Sequence, residues 1–186
     1  MDIPRIFNIT ESAHRIHNPF TPEKLATLGA ALRLEPGTRV LDLGSGSGEL
    51  LCSWARDHGI VGTDVDLSQL YTEQARLRAE ELGVADQLQF IHGDAAGSVP
   101  DFLLLPGLLA SFGRLGYDVV EMVLADQDSW DRYEAAKWLT MRRWIEANPD
   151  DELAKEVRSM LSSEPERYAT CTREYLGWGV FALMRR

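Results

Sequence analysis

The chain is poor in cysteine, histidine and positive charge: 2 Cys, 4 His, and 19 Lys and Arg against 29 Asp and Glu in 186 residues. Cys52 and Cys171 lie far apart without metal-knuckle spacing, and His14, His17, His58 and His92 form no HExxH-type pattern, so no metal site is expected. Two cysteines at this separation read as buried free thiols of a cytoplasmic protein rather than as a disulfide. A formal charge of −10 and a pI near 4.8 disfavour an electrostatic grip on nucleic-acid phosphates or anionic membranes. Long apolar runs are also missing. The longest, around Val99–Phe112, is broken by Pro100, Asp101 and Pro106 and is too short to span a bilayer. Met1–Arg5 lacks the charged-then-apolar layout of a secretory signal. With no repeat, low-complexity tract or Gly/Ser linker, a single domain over 1–186 is expected.

What is present is ordinary globular composition, 45% apolar and 26% charged. Residues 1–40 carry five bases and four acids, so the acidity belongs to the remainder, at −11. A short helix and loop are expected in the first twenty residues. Thr21-Pro22 then starts a helix, with a hydroxyl cap and proline in the first turn, and Pro36-Gly37 stops it. Val40-Leu41-Asp42-Leu43 reads as a buried strand before a glycine cluster. Helix 49–57, strand 60–64, helix 67–82 and strand 87–92 follow, a β-α-β-α-β order within 38–97 that implies a parallel sheet with crossover helices. Residues 98–186 read as a helix near 106–115, strand 118–124, and a long amphipathic helix through Trp130, Trp138, Met141 and Trp144. An acidic helical pair near 150–168 and a last strand within 174–184 follow, with Gly177 and Gly179 as candidate bulges.

Gly44-Ser45-Gly46-Ser47-Gly48 sits between a strand and a helix, where ligands meet the carboxyl ends of parallel strands. Asp42 precedes this loop and Glu49 follows it, and acids at that place suit a cationic ligand better than a pyrophosphate. The glycine spacing also differs from the GxGxxG of dinucleotide sites, which disfavours an NAD-dependent oxidoreductase. Asp64 and Asp66 end the second strand, placed to accept from ribose hydroxyls. Asp94 ends the third, placed to accept from an exocyclic amine, with the Ala95 amide beside it for a ring nitrogen. Singly, each acid reads equally as a helix cap; together with the loop they mark a ligand site.

The run Val40–Gly48, followed by Val65-Asp66-Leu67-Ser68 and Gly93-Asp94-Ala95, resembles the class I S-adenosylmethionine-dependent methyltransferases. Arg5–Ile9 and Trp130–Tyr133 resemble a little-characterised bacterial branch of that family, the YjhP-like proteins. The resemblance implies an α/β, Rossmann-like fold with helices on both faces of a mostly parallel sheet, and S-adenosyl-L-methionine as cofactor. Gly44, Gly46 and Gly48 would line its methionine end, Asp66 would hold its ribose hydroxyls and Asp94 and Ala95 would lie at its adenine, with Asp42, Ser45 and Leu67 as further cofactor-binding residues. Asp64 departs from the small residue expected there and keeps a minor role at the ribose. The resemblance suggests Arg15–Phe20 as a lid over the cofactor, within an N-terminal region of 1–37; a loop packing against the sheet is the alternative. The implied reaction is methylation of a small-molecule acceptor.

One departure stands out. The family carries two further strand–helix units after the Asp94 position, roughly 60 residues at about 30 per unit. Here Ala96-Gly97 runs directly into Ser98–Phe102, which resembles sequence beyond those units. The sheet is therefore shortened to about five strands. Strand 118–124 is expected to close it by moving beside the first strand, with Ala125–Asp128 at the cofactor's edge. The alternative is a gap with an exposed sheet edge through which the chain could form a homo-oligomer. His14, His17 and Asp126 are candidate bases should the acceptor be a hydroxyl. Trp130, Trp138 and Trp144 read as core rather than substrate wall, and Cys52 as packing rather than nucleophile. A binding-only descendant that keeps the cofactor cleft without transferring methyl groups is the competing expectation.

Overall fold

The Thr21 hydroxyl accepts the Lys24 amide at 3.3 Å, and Pro22 occupies the first turn, where no amide donor is needed. This is how α2 begins in the computed structural model, which describes residues 3–94 and 103–186. Helices α1 (Arg5–Glu11) and α2 (Pro22–Ala31) lead into β1 (Arg39–Leu43). Then α3 (Glu49–His58), β2 (Val61–Asp66), α4 (Gln69–Glu81) and β3 (Leu88–His92) complete the expected alternating unit. The second half supplies α5 (Leu105–Arg114), β4 (Tyr117–Leu124), α6 (Gln127–Ala147), α7 (Ala154–Arg167), the short α8 (Arg173–Tyr175) and β5 (Gly179–Arg185). The acidic stretch after Pro149 forms one helix, not a pair. Asp151 accepts the Leu153 amide at 3.0 Å and holds the preceding residues in a turn.

Strands β1, β2 and β3 form a parallel sheet in that order, with Asp42 opposite Asp64 and Asp66 opposite His92. β4 and β5 form a separate antiparallel pair, irregular between Val119 and Glu121 rather than at Gly177 or Gly179. Among the described residues five strands fall into three and two, and β4 does not move beside β1. β4 is bonded to β5 along its whole length, and α2 clamps its end, with Lys24 Nζ 3.1 Å from the Leu124 carbonyl and 2.7 Å from Asp126 Oδ2.

Among the described residues β1 therefore has no strand on its outer side. Val61 donates to the Thr38 carbonyl (2.9 Å) and Gly44 to the Val65 carbonyl (2.8 Å), so even-numbered backbone groups of β1 face β2 and those of Leu41 and Leu43 face away. Leu41 is 61% and Leu43 55% exposed, although their composition reads as buried strand. Neighbouring elements that would cover them are lacking, and such an edge is open to a strand of a second copy.

Burial elsewhere follows the pattern. Leu25, Leu28, Leu51, Trp54, Ile60 and Leu88 pack one core, against which Trp178, Val180 and Val123 of the second sheet region also pack. A smaller core joins Ile9, Met141, Ile145 and Val157 of α1, α6 and α7, with Trp138 and Trp144 against it. Both tryptophans are thus core, as their helical spacing suggests. Cys52 is buried and free; Cys171 is also free but exposed, contrary to the expectation of two buried thiols. It lies on a π-helical turn, Tyr168–Thr172, whose packing is carried by Tyr168 instead. Among the described residues no helix is long and apolar enough to cross a membrane, and no His, Cys, Asp and Glu cluster could hold a metal.

Candidate active site

The loop between β1 and α3 adopts a backbone that its glycines permit. Gly46 has φ +59°, and a Cβ there would stand 2.9 Å from His17 Nδ1. Its amide donates to Asp66 Oδ2 at 2.8 Å, while the Ser68 amide donates to Asp66 Oδ1 at 2.7 Å. One carboxylate at the end of β2 thus ties the loop to the start of α4. Beneath it, the Ser45 hydroxyl donates to Asp64 Oδ1 at 2.6 Å. Asp64 is fully buried under the loop and is not on the wall of the cleft, so it positions Ser45 rather than meeting a ribose.

Above the loop a cleft of about 630 Å³ opens. Asp42, Gly44, Ser45, Gly46, Asp66, Leu67 and Asp94 all line it, brought together from the carboxyl ends of three consecutive strands. Gly48 stands behind the wall, against Ala75 of α4. Ala95 lies outside the described residues. Other lining residues are Asn18 and Phe20, within the segment expected as a lid, and Tyr71 of α4 with Trp178 and Val180 at β5, which no local motif marks. Phe20 and Trp178 meet edge to face at 5.1 Å, a pairing of residues 158 positions apart (178 − 20) that the sequence carries no signal for.

Burial raises the Asp42 carboxyl to about 6, with nearby Asp66 adding repulsion, and burial likewise raises Asp64 to about 6 despite the Ser45 hydrogen bond. Both groups therefore hold a proton in the folded chain that the unfolded chain has already released between about pH 4 and 6. Stability falls as pH rises through that window and stays lower above it. Asp42→Asn is expected to raise the melting temperature at pH 7.5 by a few degrees while leaving it nearly unchanged at pH 4, with Asp64 supplying the residual slope. Calorimetry at the two pH values checks this; an equal effect at both would remove Asp42 as a source of the slope. A carboxylate kept at such a cost, facing the cleft, suits a positively charged ligand. Glu49 is different. It is buried and held by Arg78 of α4 at 3.0 and 3.2 Å, so much of its charge is already neutralised.

The candidate bases separate. Asp126 caps α6 by accepting the Ser129 amide at 2.8 Å, and its hydrogen bond from Lys24 holds its pKa far below the carboxylate range, so it is a structural anion away from the cleft. His14 bonds the Tyr133 carbonyl through Nε2 at 3.1 Å and pairs with Glu11, also off the cleft. His17 lines the cleft. Burial lowers its pKa, and its Nε2 meets the His14 carbonyl (3.1 Å) and the Ser47 hydroxyl (3.0 Å), whose own proton goes to Gln74. The ring is thus neutral at pH 7 with the proton on Nε2, leaving Nδ1 as the acceptor beside Gly46. Burial pushes the Cys52 thiol up to about 12, which removes it as a nucleophile.

Comparison with known proteins agrees with this arrangement. A methyltransferase domain family matches residues 40–102, which span the loop and the three strand ends. The Escherichia coli protein YjhP, itself uncharacterised, is 53% identical over 248 aligned positions covering the whole of both chains. This chain has 186 residues, so at least 62 of those positions (248 − 186) have no counterpart in it. Two crystal structures of SAM-dependent methyltransferases in complex with S-adenosyl-L-homocysteine superpose with TM-scores of 0.93. One, from Geobacter sulfurreducens, is 63% identical and covers 100% of this chain and 99% of its own. The other, from Thiobacillus denitrificans, is 64% identical and covers 100% of both.

Proposed function

This chain belongs to the S-adenosylmethionine-dependent methyltransferases, in the branch that contains YjhP, and on that premise we propose that its cleft holds S-adenosylmethionine and serves methylation of a small molecule. The observation that carries this reading is the convergence of a glycine-rich loop and the acids Asp42, Asp66 and Asp94 on one cleft. Its volume of about 630 Å³ lies within the usual range for a cofactor pocket. Gly44, Ser45 and Gly46 lie along the methionine end, Asp66 and Leu67 at the ribose, and Asp94 with Ala95 at the adenine. Gly48 acts from behind, by letting the loop pack on α4. When bound, the cofactor supplies a methyl group on a sulfonium, which a nucleophile held in line accepts. This chain's part is to orient that group, and to offer His17 Nδ1 as the basic atom beside the loop.

The at least 62 absent positions and the open outer edge of β1 favour one other reading, cofactor binding without transfer. A single experiment tests both. The protein is melted with and without S-adenosylhomocysteine, then incubated with methyl-labelled S-adenosylmethionine and a small-molecule extract. A raised melting temperature with label in a product is the expected result. A raised temperature without label selects the binding-only reading. No shift with either form of the cofactor overturns both, and a shift with NADH instead replaces them with an oxidoreductase.

A further inference from the structure

We propose that a second, smaller cavity, between α1, α6 and α7, binds a small amino alcohol with an apolar arm. The cavity measures about 190 Å³ and shares no lining residue with the cofactor cleft. Three carboxylates line it, those of Glu11, Glu134 and Glu164, against two cations, Lys137 and Arg167. Arg167 is committed to Glu164 through Nε, at 3.2 Å, and through Nη2. One ammonium therefore serves the other two carboxylates: Lys137 Nζ stands 3.5 Å from both Glu11 and Glu134.

Glu134 is the carboxylate left short. It is 8% exposed, and among the described residues its share of Lys137 is the one ion pair it makes. Glu11, by contrast, also accepts the Tyr133 hydroxyl at 2.8 Å and meets the His14 ring at 3.1 Å. A buried carboxylate with a half share of one ammonium gains from a second cation. One turn along α6, Trp138 lines the same cavity, and its indole N–H is buried without an acceptor. A buried donor left unpaired gains from an oxygen placed within reach. Ile6, Met141 and Met160 supply the apolar lining, and thioether side chains adapt readily to a small ligand. Together these features define the occupant: an ammonium for Glu134, a hydroxyl oxygen for Trp138, and a short branched alkyl arm for the methionines. A carboxylate in place of the hydroxyl would face Glu11 and Glu134 and is disfavoured. The volume lies below the ~300–1,000 Å³ of pockets for drug-sized ligands, which limits the occupant to a small molecule.

Calorimetric titration of the full chain with leucinol tests this, beside the same carbon skeleton without its amino group, the same without its hydroxyl, and leucine. Leucinol is expected to bind saturably, and each of the other three to bind about 10-fold more weakly or not at all. This series is run on the unaltered chain, so its result does not hang on a variant folding. Glu134→Gln keeps the shape and removes the charge, and is expected to weaken leucinol by about 10- to 100-fold. Trp138→Phe is expected to bind leucinol and its hydroxyl-free counterpart equally, since the indole donor is gone. Failure of leucinol to saturate the unaltered chain overturns the assignment, as do equal affinities across the series. Leucinol affinity unchanged by Glu134→Gln puts the amine in the acidic cofactor cleft instead, and overturns it equally.

Discussion

Asp66→Ala is expected to abolish the rise in melting temperature that S-adenosylhomocysteine should give the unaltered chain. In the free protein the two oxygens of Asp66 accept the Gly46 and Ser68 amides at 2.8 and 2.7 Å, and the side chain also forms part of the cleft wall. Alanine removes both charged acceptors, and each ribose hydroxyl bonded to a carboxylate is worth about 1.5–3 kcal/mol. Two such bonds correspond to a loss of affinity of about 10²- to 10⁴-fold. The substitution also strands two amides, at about 1–3 kcal/mol each, so the free variant melts lower as well. The two consequences are read separately. The free melting temperature reports the loop, and the difference between free and ligand-saturated protein reports the ribose contact. A variant that keeps the full ligand-induced rise would remove Asp66 from the site.

The second large effect is on the fold of the loop itself. Gly48 has φ +72°, and a Cβ there would stand 2.6 Å from Ala75 Cβ, 3.2 Å from Ala75 Cα and 3.1 Å from Asp64 Oδ2. Ala75 is fully buried in α4, so no flexible side chain can give way. Gly48→Ala adds a left-handed-backbone penalty of about 1–2 kcal/mol to an overpacking cost of about 1–3 kcal/mol. The sum is a large share of the ~5–15 kcal/mol by which a domain is stable. Gly37→Ala is the reference, since Gly37 shares the positive φ (+82°) but has nothing within 4 Å of an added Cβ. Urea denaturation should show Gly48→Ala losing clearly more than Gly37→Ala, together with weakened S-adenosylhomocysteine binding. Equal losses would show that contact with α4 contributes nothing.

Local sequence was enough to place most of the site. Gly44, Ser45 and Gly46 of the loop, with Asp42, Asp66, Leu67 and Asp94, reach one cleft, because strand ends and their loops are set by short-range patterns that a parallel sheet lines up on one side. The roles of Asp64 and Glu49 were not legible. Both are acids next to the loop, yet Asp64 points beneath it to Ser45 and Glu49 is held by Arg78. Asp64 and Asp66, two positions apart on β2, share a face of the strand, yet one is held under the loop by Ser45 and the other ties the loop to α4, a difference settled by what packs around them. Asp126 shows the same limit, since nothing local says that Lys24, 102 positions earlier, will claim it (126 − 24).

Several things were determined by the chain's own order of residues: the β-α-β-α-β unit, the glycine loop, the acidic ends of its strands, and the shortening after Asp94. The first three depend on periodicity, turn chemistry and spacing over a few tens of residues, and the shortening shows only against the family that the chain resembles. How the shortened sheet is put together was decided by tertiary structure alone. A strand such as β4 can pair on either edge as far as its composition goes. In the structure β4 pairs with β5 along one edge, α2 holds its end, and among the described residues no strand takes the outer edge of β1. Composition marks which face of a strand is apolar but not which neighbour its backbone will find, because those backbone groups are the same in every strand.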